Sequence, residues 1–262
     1  MKLPICEMFV SVQGEGVFTG VPSFFIRTSG CNLRCCFKGS ICDTPYSSYN
    51  PEKSIYETLE GAVEEFNKLR EQNPNVNHLV ITGGEPLLFQ KALGEFLNMI
   101  GDDLIITIET NGSLPMLHHD KITLYSVSPK LSTSVGDAGG ILTKDQVDQH
   151  NKNRINIQNL CEYALDSENV QFKFVYSGKE CVEEIESIYK EMGLYVQSNM
   201  PDRCEEYVHY CNPYYKTLLM PEGITNEQLS NSAAEAVKVC IEKGWQFCDR
   251  MHIRVFGDKR GV

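Results

Sequence analysis

Four cysteines lie within one short loop, at Cys31, Cys35, Cys36 and Cys42, and no histidine lies among them. Thiolates this close repel one another unless a metal ion or a cluster shares their charge. Thiolate ligation without histidine suits iron–sulfur clusters or zinc. A disulfide would need an oxidising compartment, and residues 1–7 lack the apolar segment of a secretory signal. The loop therefore predicts a metal centre in a reducing, cytoplasmic environment.

Three of the four thiols suit one small cluster. Cys35 and Cys36 are neighbours, so their side chains diverge and do not easily reach separate corners of it. Cys42 is therefore the better third ligand beside Cys31 and Cys35. Three cysteines leave one iron of a [4Fe-4S] cluster open, and an open metal position separates a reactive site from a structural one. A closed zinc site is the alternative.

The loop resembles the cluster loop of the radical S-adenosylmethionine (SAM) enzymes, in which three cysteines hold the cluster and SAM chelates the fourth iron. The chain as a whole resembles the 7-carboxy-7-deazaguanine synthase family. The motifs that carry this resemblance are Gln13-Gly14-Glu15-Gly16, Phe25-Ile26-Arg27, Cys42-Asp43-Thr44, Thr82-Gly83-Gly84-Glu85-Pro86, Glu109-Thr110-Asn111-Gly112, Ser128-Pro129-Lys130, Pro221-Glu222-Gly223 and His252.

The cysteine spacing departs from the family pattern. In the family two residues separate the second and third cysteines, whereas six separate Cys35 from Cys42. The Asp43-Thr44 pair that ordinarily follows the third cysteine follows Cys42 here. We therefore interpret residues 36–41 as containing a small insertion, with Cys42 as the third ligand.

The resemblance implies a carbon–nitrogen lyase that contracts the ring of 6-carboxy-5,6,7,8-tetrahydropterin to 7-carboxy-7-deazaguanine and releases ammonia. A reduced cluster would donate an electron to SAM, and the 5′-deoxyadenosyl radical would abstract hydrogen from the pterin. Cofactors carry such steps, while the protein holds them in line with the substrate and excludes water. The implied cofactors are a [4Fe-4S] cluster, SAM and Mg²⁺.

Several polar residues are candidates for binding SAM. Glu85 follows two glycines that let the backbone approach a ligand, and its carboxylate suits the SAM ammonium; the alternative is an acid at a helix start. The resemblance implies further cofactor contacts by Gly84, Glu109, Asn111, Ser128 and Lys130, and by the backbone around Ser40 and Met220.

A second group of residues is predicted to bind the substrate. Gln13 and Glu15 offer an amide and a carboxylate for the pterin edge, and Arg27 offers a bidentate partner for its carboxylate. Thr44 resembles the family's magnesium ligand, a hard oxygen donor of the kind that Mg²⁺ prefers. The resemblance adds Gly14, Thr82 and His252 as further candidates.

The resemblance also implies partners: a flavodoxin- or ferredoxin-type reductant and a second copy of the chain in a homodimer. Two other functions remain open. A different radical SAM enzyme, such as a glycyl-radical activase, would share the cluster loop but leaves Gln13, Glu15, Arg27 and Thr44 unexplained. A zinc-stabilised interaction module leaves the other polar motifs unexplained.

Composition limits the function further. The chain has 262 residues and a formal net charge of −11, so we expect one domain over residues 1–262 and no nucleic-acid surface, which would need clustered Lys and Arg. No apolar run approaches the ~18 residues of a membrane span. Five cysteines outside the loop are expected to be buried free thiols, namely Cys6, Cys161, Cys181, Cys240 and Cys248.

Strand-like apolar runs alternate with helical spacing along the chain. The predicted strands are 23–28, 78–82, 104–108, 122–127, 170–176 and 217–220. A helix is predicted after Asn50-Pro51, with Ile55, Leu59, Val63, Phe66 and Leu69 on its buried face. Other predicted helical faces are Leu93, Phe96, Leu97 and Ile100; Val182, Ile185, Ile188 and Met192; and, after a Thr225/Gln228 capping box, Leu229, Ala233, Val237 and Ile241.

Six strand–helix steps predict parallel strands with right-handed crossovers. The predicted fold class is α/β, a partial (β/α)6-type barrel of the radical SAM class, with a short strand or extended tail at 252–256. The polar motifs follow strand ends, where such barrels build active sites. Two regions fit poorly and are interpreted as insertions, near 131–158 and 195–215. In the second, Cys204, His209 and Cys211 could supply metal ligands, but a fourth is not evident.

Overall fold

The structure is a computed structural model that describes residues 2–38, 40–136, 139–167, 169–212 and 216–262, with only the backbone described for Tyr210 and Cys211. The strands in these residues are β1 (Ile5–Val12), β2 (Pro22–Thr28), β3 (Cys36–Phe37), β4 (Ser40–Ile41), β5 (His78–Gly83), β6 (Ile105–Thr110), β7 (Ile122–Val127), β8 (Val170–Tyr176), β9 (Thr217–Pro221) and β10 (Gln246–Phe247). The α-helices are α1 (Pro45–Ser48), α2 (Leu59–Gln72), α3 (Gln90–Met99), α4 (Lys144–Asn153), α5 (Ile157–Asp166), α6 (Glu180–Asn199), α7 (Cys204–Glu206), α8 (Asn226–Lys243) and α9 (Met251–Phe256).

Eight strands form one sheet in the order β1-β2-β5-β6-β7-β8-β9-β10. Every neighbouring pair from β2 to β10 is parallel, and β1 alone is antiparallel to its neighbour β2. The edge strands β1 and β10 are not paired with each other in the described residues, so the sheet is not closed. The predicted α/β fold with a partial (β/α)6-type barrel is confirmed, and the sequence prediction missed the two edge strands.

The core lies between the sheet and the helices that cover its outer face. The apolar residues of the parallel strands have almost no exposed surface, as at Leu79, Val80 and Ile81, because covered parallel strands are buried on both faces. Phe66 of α2 packs between Phe24 of β2 and Phe96 of α3, with ring centroids 5.4 and 5.9 Å apart. The predicted buried faces of α3 and α6 are found.

Helix α2 begins later than predicted. Its first residue is Leu59, and the Thr58 side chain caps it by accepting a hydrogen bond from the Gly61 N–H. Ile55 is 56% exposed, and its N–H donates to the Ile5 carbonyl oxygen at 2.8 Å. The predicted helix start at Asn50-Pro51 is therefore wrong, because part of this segment hydrogen-bonds to the start of the edge strand β1 instead of forming a helix.

The predicted buried face of α8 is wrong in its second half. Thr225 caps the helix as expected, while the Gln228 side chain accepts from the Ile224 N–H at 2.8 Å. Val237 and Ile241 are 36% and 78% exposed. Repeated steps of four residues drift around a helix of 3.6 residues per turn. The face that packs inward consists of Leu229, Ala236, Val239 and Cys240.

The two poorly fitting regions contain helices. Region 131–158 holds a 3-10 turn, α4 and the start of α5, and region 195–215 begins inside α6. Cys204 packs against the core, whereas the Cys211 side chain lies outside the described residues. No helix in the described parts of the chain has the length and apolarity to cross a membrane. The five thiols predicted to be buried are buried: Cys6, Cys161, Cys181, Cys240 and Cys248.

Candidate active site

A cavity of about 750 Å³ opens at the carboxyl ends of the parallel strands. It is lined by every predicted site residue except Glu85: Gln13, Gly14, Glu15, Arg27, Cys31, Cys35, Ser40, Cys42, Thr44, Thr82, Gly84, Glu109, Asn111, Ser128, Lys130, Met220 and His252. These residues come from many separate segments, and the parallel sheet brings them to one rim. The cavity is therefore the candidate active site.

The segment 36–41, which is interpreted from the sequence as containing an insertion, includes a small β-hairpin. Strands β3 and β4 pair antiparallel, Cys36 opposite Ile41 and Phe37 opposite Ser40. At the base of the hairpin the Cys42 N–H donates to the Cys35 carbonyl oxygen at 3.0 Å. The hairpin thus returns Cys42 to the side of Cys35, although six residues separate them in the sequence.

Cys36 faces away from the cavity. Its side chain is 2% exposed and packs with Leu142, and a Cβ atom on Gly136 would lie 3.0 Å from its sulfur. In contrast, Cys31, Cys35 and Cys42 border the cavity. This arrangement supports the interpretation that Cys42, not Cys36, is the third ligand.

The three cavity-lining thiols are neutral in this environment. Burial raises the pKa of Cys31 and Cys35, and it raises the pKa of Cys42 to about 12, with Asp43 adding to that effect. Thiolates are the metal-binding form, so loading this loop must release protons. In the described residues, no group of three His, Cys, Asp or Glu side chains is arranged to bind one metal ion. The three thiols instead border a space larger than a single ion needs.

Gly84 has no room for a side chain. A Cβ atom there would lie 2.1 Å from the Gly30 carbonyl oxygen and 2.5 Å from that of Ser47. The Glu85 N–H in turn donates to the Gly30 carbonyl at 2.8 Å. The end of β5 therefore packs directly against the start of the cysteine loop and fixes its position.

The Glu85 side chain does not line the cavity, although the sequence predicts that its carboxylate meets the SAM ammonium. It is 0% exposed and accepts hydrogen bonds from the Thr110 hydroxyl at 2.8 Å, the Asn111 N–H at 2.7 Å and the Leu87 N–H at 3.1 Å. Burial raises its pKa, and these hydrogen bonds oppose that shift. Glu85 therefore holds the turn after β6 in place. Its bond to the Leu87 N–H agrees with the alternative prediction, in which Glu85 is an acid at a helix start.

The other predicted SAM contacts line the cavity, and several of them hydrogen-bond to one another or to the cysteine loop. Lys130 donates to the Ser128 hydroxyl at 2.9 Å, and the Asn111 amide donates to Asn32 at 3.0 Å. Glu109 instead accepts from Gln13 at 3.2 Å and from the Thr82 hydroxyl at 2.8 Å. Its partners are thus residues that were predicted to bind the substrate, not SAM.

Glu15 lies at the centre of a buried charge network. Lys173 forms an ion pair with one of its carboxylate oxygens, and Arg250 donates to the other at 3.0 Å. Arg250 also donates to Asp43 at 2.7 Å, which links the cysteine loop to the substrate side of the cavity. These cations hold the pKa of Glu15 far below its usual range despite burial, which acts to raise it. Glu15 is therefore a carboxylate at neutral pH.

The segment that carries His252 is a helix, so the predicted strand or tail at 252–256 is wrong. The Met251 N–H at the start of α9 donates to the Gly14 carbonyl at 2.9 Å, and a Cβ atom on Gly14 would lie 2.0 Å from the His252 ring. Burial lowers the pKa of His252. The helix thus packs a neutral imidazole against Gln13-Gly14-Glu15, 4.0 Å from the Glu15 carboxylate.

Arg27 lies near the end of β2 and lines the same cavity. Its Nε donates to Glu7 at 2.7 Å, and its guanidinium lies over the Tyr46 ring. Its side chain is 18% exposed and that of Glu7 is 10% exposed, so this is a partly buried pair and not a surface contact. In the part of the chain that the structure describes, its two terminal nitrogens make no hydrogen bond. They remain available to a bound anion.

Thr44 borders the cavity beside Cys42. Its hydroxyl donates to the Asp43 carboxylate at 3.1 Å, and its N–H points to the Cys42 sulfur at 3.5 Å. The hydroxyl oxygen keeps its lone pairs as hard donors toward the cavity. The residue is thus placed between the cluster loop and the charge network.

Comparison with known proteins decides the family. A family model described as the Radical SAM superfamily matches residues 25–126. The 7-carboxy-7-deazaguanine synthase of Rhodopirellula baltica is 36% identical over 265 residues, covering 100% of this chain and 89% of that protein. The chain belongs to the 7-carboxy-7-deazaguanine synthase family. The 7-carboxy-7-deazaguanine synthase of Halobacterium salinarum is 33% identical, and the match covers 98% of this chain and 91% of that protein.

The fold agrees with this family. A crystal structure of QueE from Escherichia coli superimposes with a TM-score of 0.58 at 21% identity, covering 95% of this chain and 94% of that one. Membership of the 7-carboxy-7-deazaguanine synthase family brings a [4Fe-4S] cluster and SAM as cofactors. The resemblance read from the sequence is confirmed, and neither a glycyl-radical activase nor a zinc module is favoured.

In this member of the 7-carboxy-7-deazaguanine synthase family, sequence reasoning missed Lys173 and Arg250, and it used Asp43 only as part of the motif that follows Cys42. Lys173 carried a signal, since a lysine inside the apolar strand 170–176 must find a buried partner. Arg250 carried none, because both of its carboxylate partners, Glu15 and Asp43, lie more than 200 residues away in the sequence. The Lys173 side chain is buried and that of Arg250 is largely buried, so their partners are decided by the fold.

Proposed function

We propose that this chain converts 6-carboxy-5,6,7,8-tetrahydropterin into 7-carboxy-7-deazaguanine with loss of ammonia. The observation that carries the proposal is that the cysteines Cys31, Cys35 and Cys42 border the same cavity as Gln13, Glu15 and Arg27. A cofactor held at one end would face a substrate held at the other. A small-molecule pterin fits this cavity, because its polar edge and its carboxylate each have a matching group.

The residues present fit the cofactors. Three thiols without histidine suit an iron–sulfur cluster with one open iron, and Asn111, Ser128 and Lys130 offer polar groups for SAM along the adjoining wall. When bound, the cluster and SAM supply the one-electron chemistry that starts the reaction. The chain itself binds and aligns the reactants and excludes water from the cavity.

Different residues of the site would bind different parts of the substrate. Glu15 is held as a carboxylate by Lys173 and Arg250, so it can accept hydrogen bonds from the N–H groups of the pterin. Gln13, fixed against Glu109, offers an amide to the same edge. Arg27 provides two unoccupied donors for the substrate carboxylate. Substrate orientation is thus fixed from two sides before the reaction begins.

The proposal is tested by anaerobic turnover of the reconstituted protein with the pterin, SAM and a chemical reductant. We expect a product with the mass of 7-carboxy-7-deazaguanine and release of ammonia. The Cys31→Ala variant serves as the control and should yield neither. SAM cleavage without conversion of the pterin would contradict the assigned substrate.

We further propose that the physiological reductant is a flavodoxin- or ferredoxin-type protein, that the chain works as a homodimer, and that it does so in the cytoplasm. The last point is supported by the buried free thiols, which persist in a reducing compartment. Light scattering of the purified protein tests the dimer directly. A monomer at micromolar concentration would contradict it.

The cysteine assignment gives a direct prediction. Cys36→Ala should keep its iron after anaerobic reconstitution, because Cys36 faces Leu142 and not the cavity. Cys42→Ala should lose the intact cluster. Iron content and the absorption band near ~400 nm that is typical of such clusters measure both. The opposite pattern would reassign the third ligand to Cys36.

We also propose that Thr44 is a ligand of Mg²⁺. Loss of a partner that only supports a metal ligand already weakens binding by about 10–100-fold, so Thr44→Val should raise the Mg²⁺ concentration for half-maximal activity at least about ten-fold. Thr44→Ser keeps the hydroxyl and should respond like the wild type. An unchanged magnesium response in Thr44→Val, with an unchanged cluster spectrum, would exclude this role.

A further inference from the structure

Helix α4 lies outside the cavity and contacts the cysteine loop through His150. The imidazole is 2% exposed, and both of its nitrogens have partners. Nδ1 lies 3.1 Å from the backbone nitrogen of Arg34, inside the loop between Cys31 and Cys35. Nε2 lies 3.0 Å from the Ser134 hydroxyl oxygen. One side chain thus joins α4 and the turn before it to the loop.

The hydrogen bonds determine the tautomer of His150. A backbone N–H can only donate, so Nδ1 must accept from Arg34 and Nε2 must carry the proton. Nε2 then donates to Ser134, whose own hydroxyl proton goes to the Leu131 carbonyl oxygen at 2.7 Å. Every donor in this series of hydrogen bonds, from Arg34 to Leu131, meets an acceptor. The neutral imidazole is therefore fully satisfied, and it serves here as a fixed acceptor for the loop.

An apolar contact reinforces the same attachment. Cys36 and Leu142 are buried against each other, and Ile41, Tyr49 and Val147 pack around them. Leu142 precedes α4 and Val147 lies on it, whereas Cys36 and Ile41 belong to the hairpin of the cysteine loop. Tyr49 also donates to the Cys35 carbonyl at 2.8 Å. Helix α4, together with Leu142 just before it, thus holds the loop at two separate points.

Arg34 forms hydrogen bonds on both sides of the loop. Its guanidinium folds back and donates to the carbonyl oxygens of Cys31 and Leu33, each at 2.8 Å. Its backbone N–H is left for His150. The segment between the first two cysteines is therefore closed by its own side chain on one side and by α4 on the other.

We propose that His150 is a positioning residue, and that α4 holds residues 31–35 in their ligand conformation before any cluster is bound. The proposal deepens the proposed function, since it concerns the loop that would hold the cluster. It does not depend on the identity of the substrate. It gives α4, which lies in the region interpreted from the sequence as an insertion, a role in forming the metal centre.

Hydrogen exchange of the full-length, cluster-free chain tests this directly. His150→Leu removes the acceptor, and peptides covering 31–35 should exchange about ten-fold faster, as expected when one hydrogen bond no longer protects an amide. In His150→Asn the side-chain oxygen occupies the place of Nδ1, so protection should return to within about three-fold of the wild type. Peptides from β8 provide the internal control.

Two results would overturn the proposal. Equal exchange of residues 31–35 in the wild type and in His150→Leu would show that the histidine does not hold the loop. Faster exchange throughout His150→Leu and His150→Asn alike, with β8 included, would show a general loss of stability instead of a local attachment.

Iron release provides a second measurement. After anaerobic reconstitution, a chelator should remove iron from His150→Leu about ten-fold faster than from the wild type, with His150→Asn close to the wild type. Phe66→Leu in α2 is the matched control, because it weakens the buried packing of a helix whose residues do not line the cavity. Equally fast release from that control would overturn the proposal. Neither measurement requires turnover, so an inactive enzyme with the wrong assigned substrate would still give a clear answer.

Discussion

Lys173→Met is expected to lower the free energy of unfolding by about 3–5 kcal/mol, because it leaves a buried carboxylate without its main partner. The Lys173 side chain is 5% exposed and that of Glu15 is 14% exposed, and Glu109 lies 3.8 Å from the same ammonium. Arg250 alone would then face both Glu15 and Asp43. Chemical denaturation of the cluster-free protein measures the loss.

A double-mutant cycle separates the pair from general packing. Glu15→Gln combined with Lys173→Met removes both charges and should cost less than the sum of the single changes, since the Glu15 carboxylate no longer stands without its lysine. The coupling energy between the two positions should then exceed about 1 kcal/mol. Strictly additive effects would mean that the two side chains do not stabilise each other.

The same pair predicts how stability depends on pH. The pKa of Glu15 is held far below its ordinary value of about 4.3, so its contribution is present above that pH and is lost as the pH falls. The pKa of Lys173 is raised above its ordinary value of about 10.4, so its contribution is lost only as the pH rises beyond that value. The stability difference between the wild type and Lys173→Met should be constant from about pH 6 to 9 and narrow below about pH 4.

Arg27→Ala is expected to lower kcat/KM by about 30- to 5,000-fold, equivalent to about 2–5 kcal/mol of transition-state stabilisation. The substrate carboxylate would lose a bidentate partner in a cavity shielded from water. Arg27→Lys keeps the charge but not the two parallel donors, so it should already be impaired. Anaerobic kinetics with 6-carboxytetrahydropterin, together with thermal melting of each variant, provide the measurement.

Glu7→Gln is the matched control for Arg27. It weakens the ion pair with Arg27 but leaves the guanidinium in place, so kcat/KM should fall much less than in Arg27→Ala. If both variants lost activity equally, or only in proportion to lost folding, Arg27 would act through its pair with Glu7. The substrate assignment would then lose its main electrostatic support.

The rim of the barrel could be predicted from sequence because its two signals are local. Buried parallel strands such as 78–82 are continuous apolar runs, and the polar motif that ends each of them marks the carboxyl edge. Parallel pairing then places all these ends together. The location of the site follows without knowledge of any contact between side chains.

The contacts within the site could not be predicted in this way. Glu85 and Glu109 are both carboxylates at strand ends, yet one is buried beneath the cavity and the other lines it. One residue of difference in register decides which way a side chain points. Lys173 needed a partner, but Glu15 is 158 residues away and many acids were available. Long-range pairing of this kind is set by the fold.

Helix boundaries failed where other contacts outweighed local propensity. Residues 50–58 have a proline suited to a first helical turn, but Ile55 hydrogen-bonds to Ile5 and the helix begins at Leu59. The segment at 252–256 has alternating polar and apolar residues, yet it forms a helix that docks on Gly14. In both cases a distant partner determines the conformation.

The hairpin between Cys35 and Cys42 changes how such loops should be recognised in genomes. Residues added to an antiparallel hairpin in opposed pairs lengthen it while leaving its base unchanged, so Cys42 stays beside Cys35 although six residues separate them. A search pattern with a fixed cysteine spacing would overlook such chains, and one that allows a variable spacing before the Asp-Thr pair would recover them.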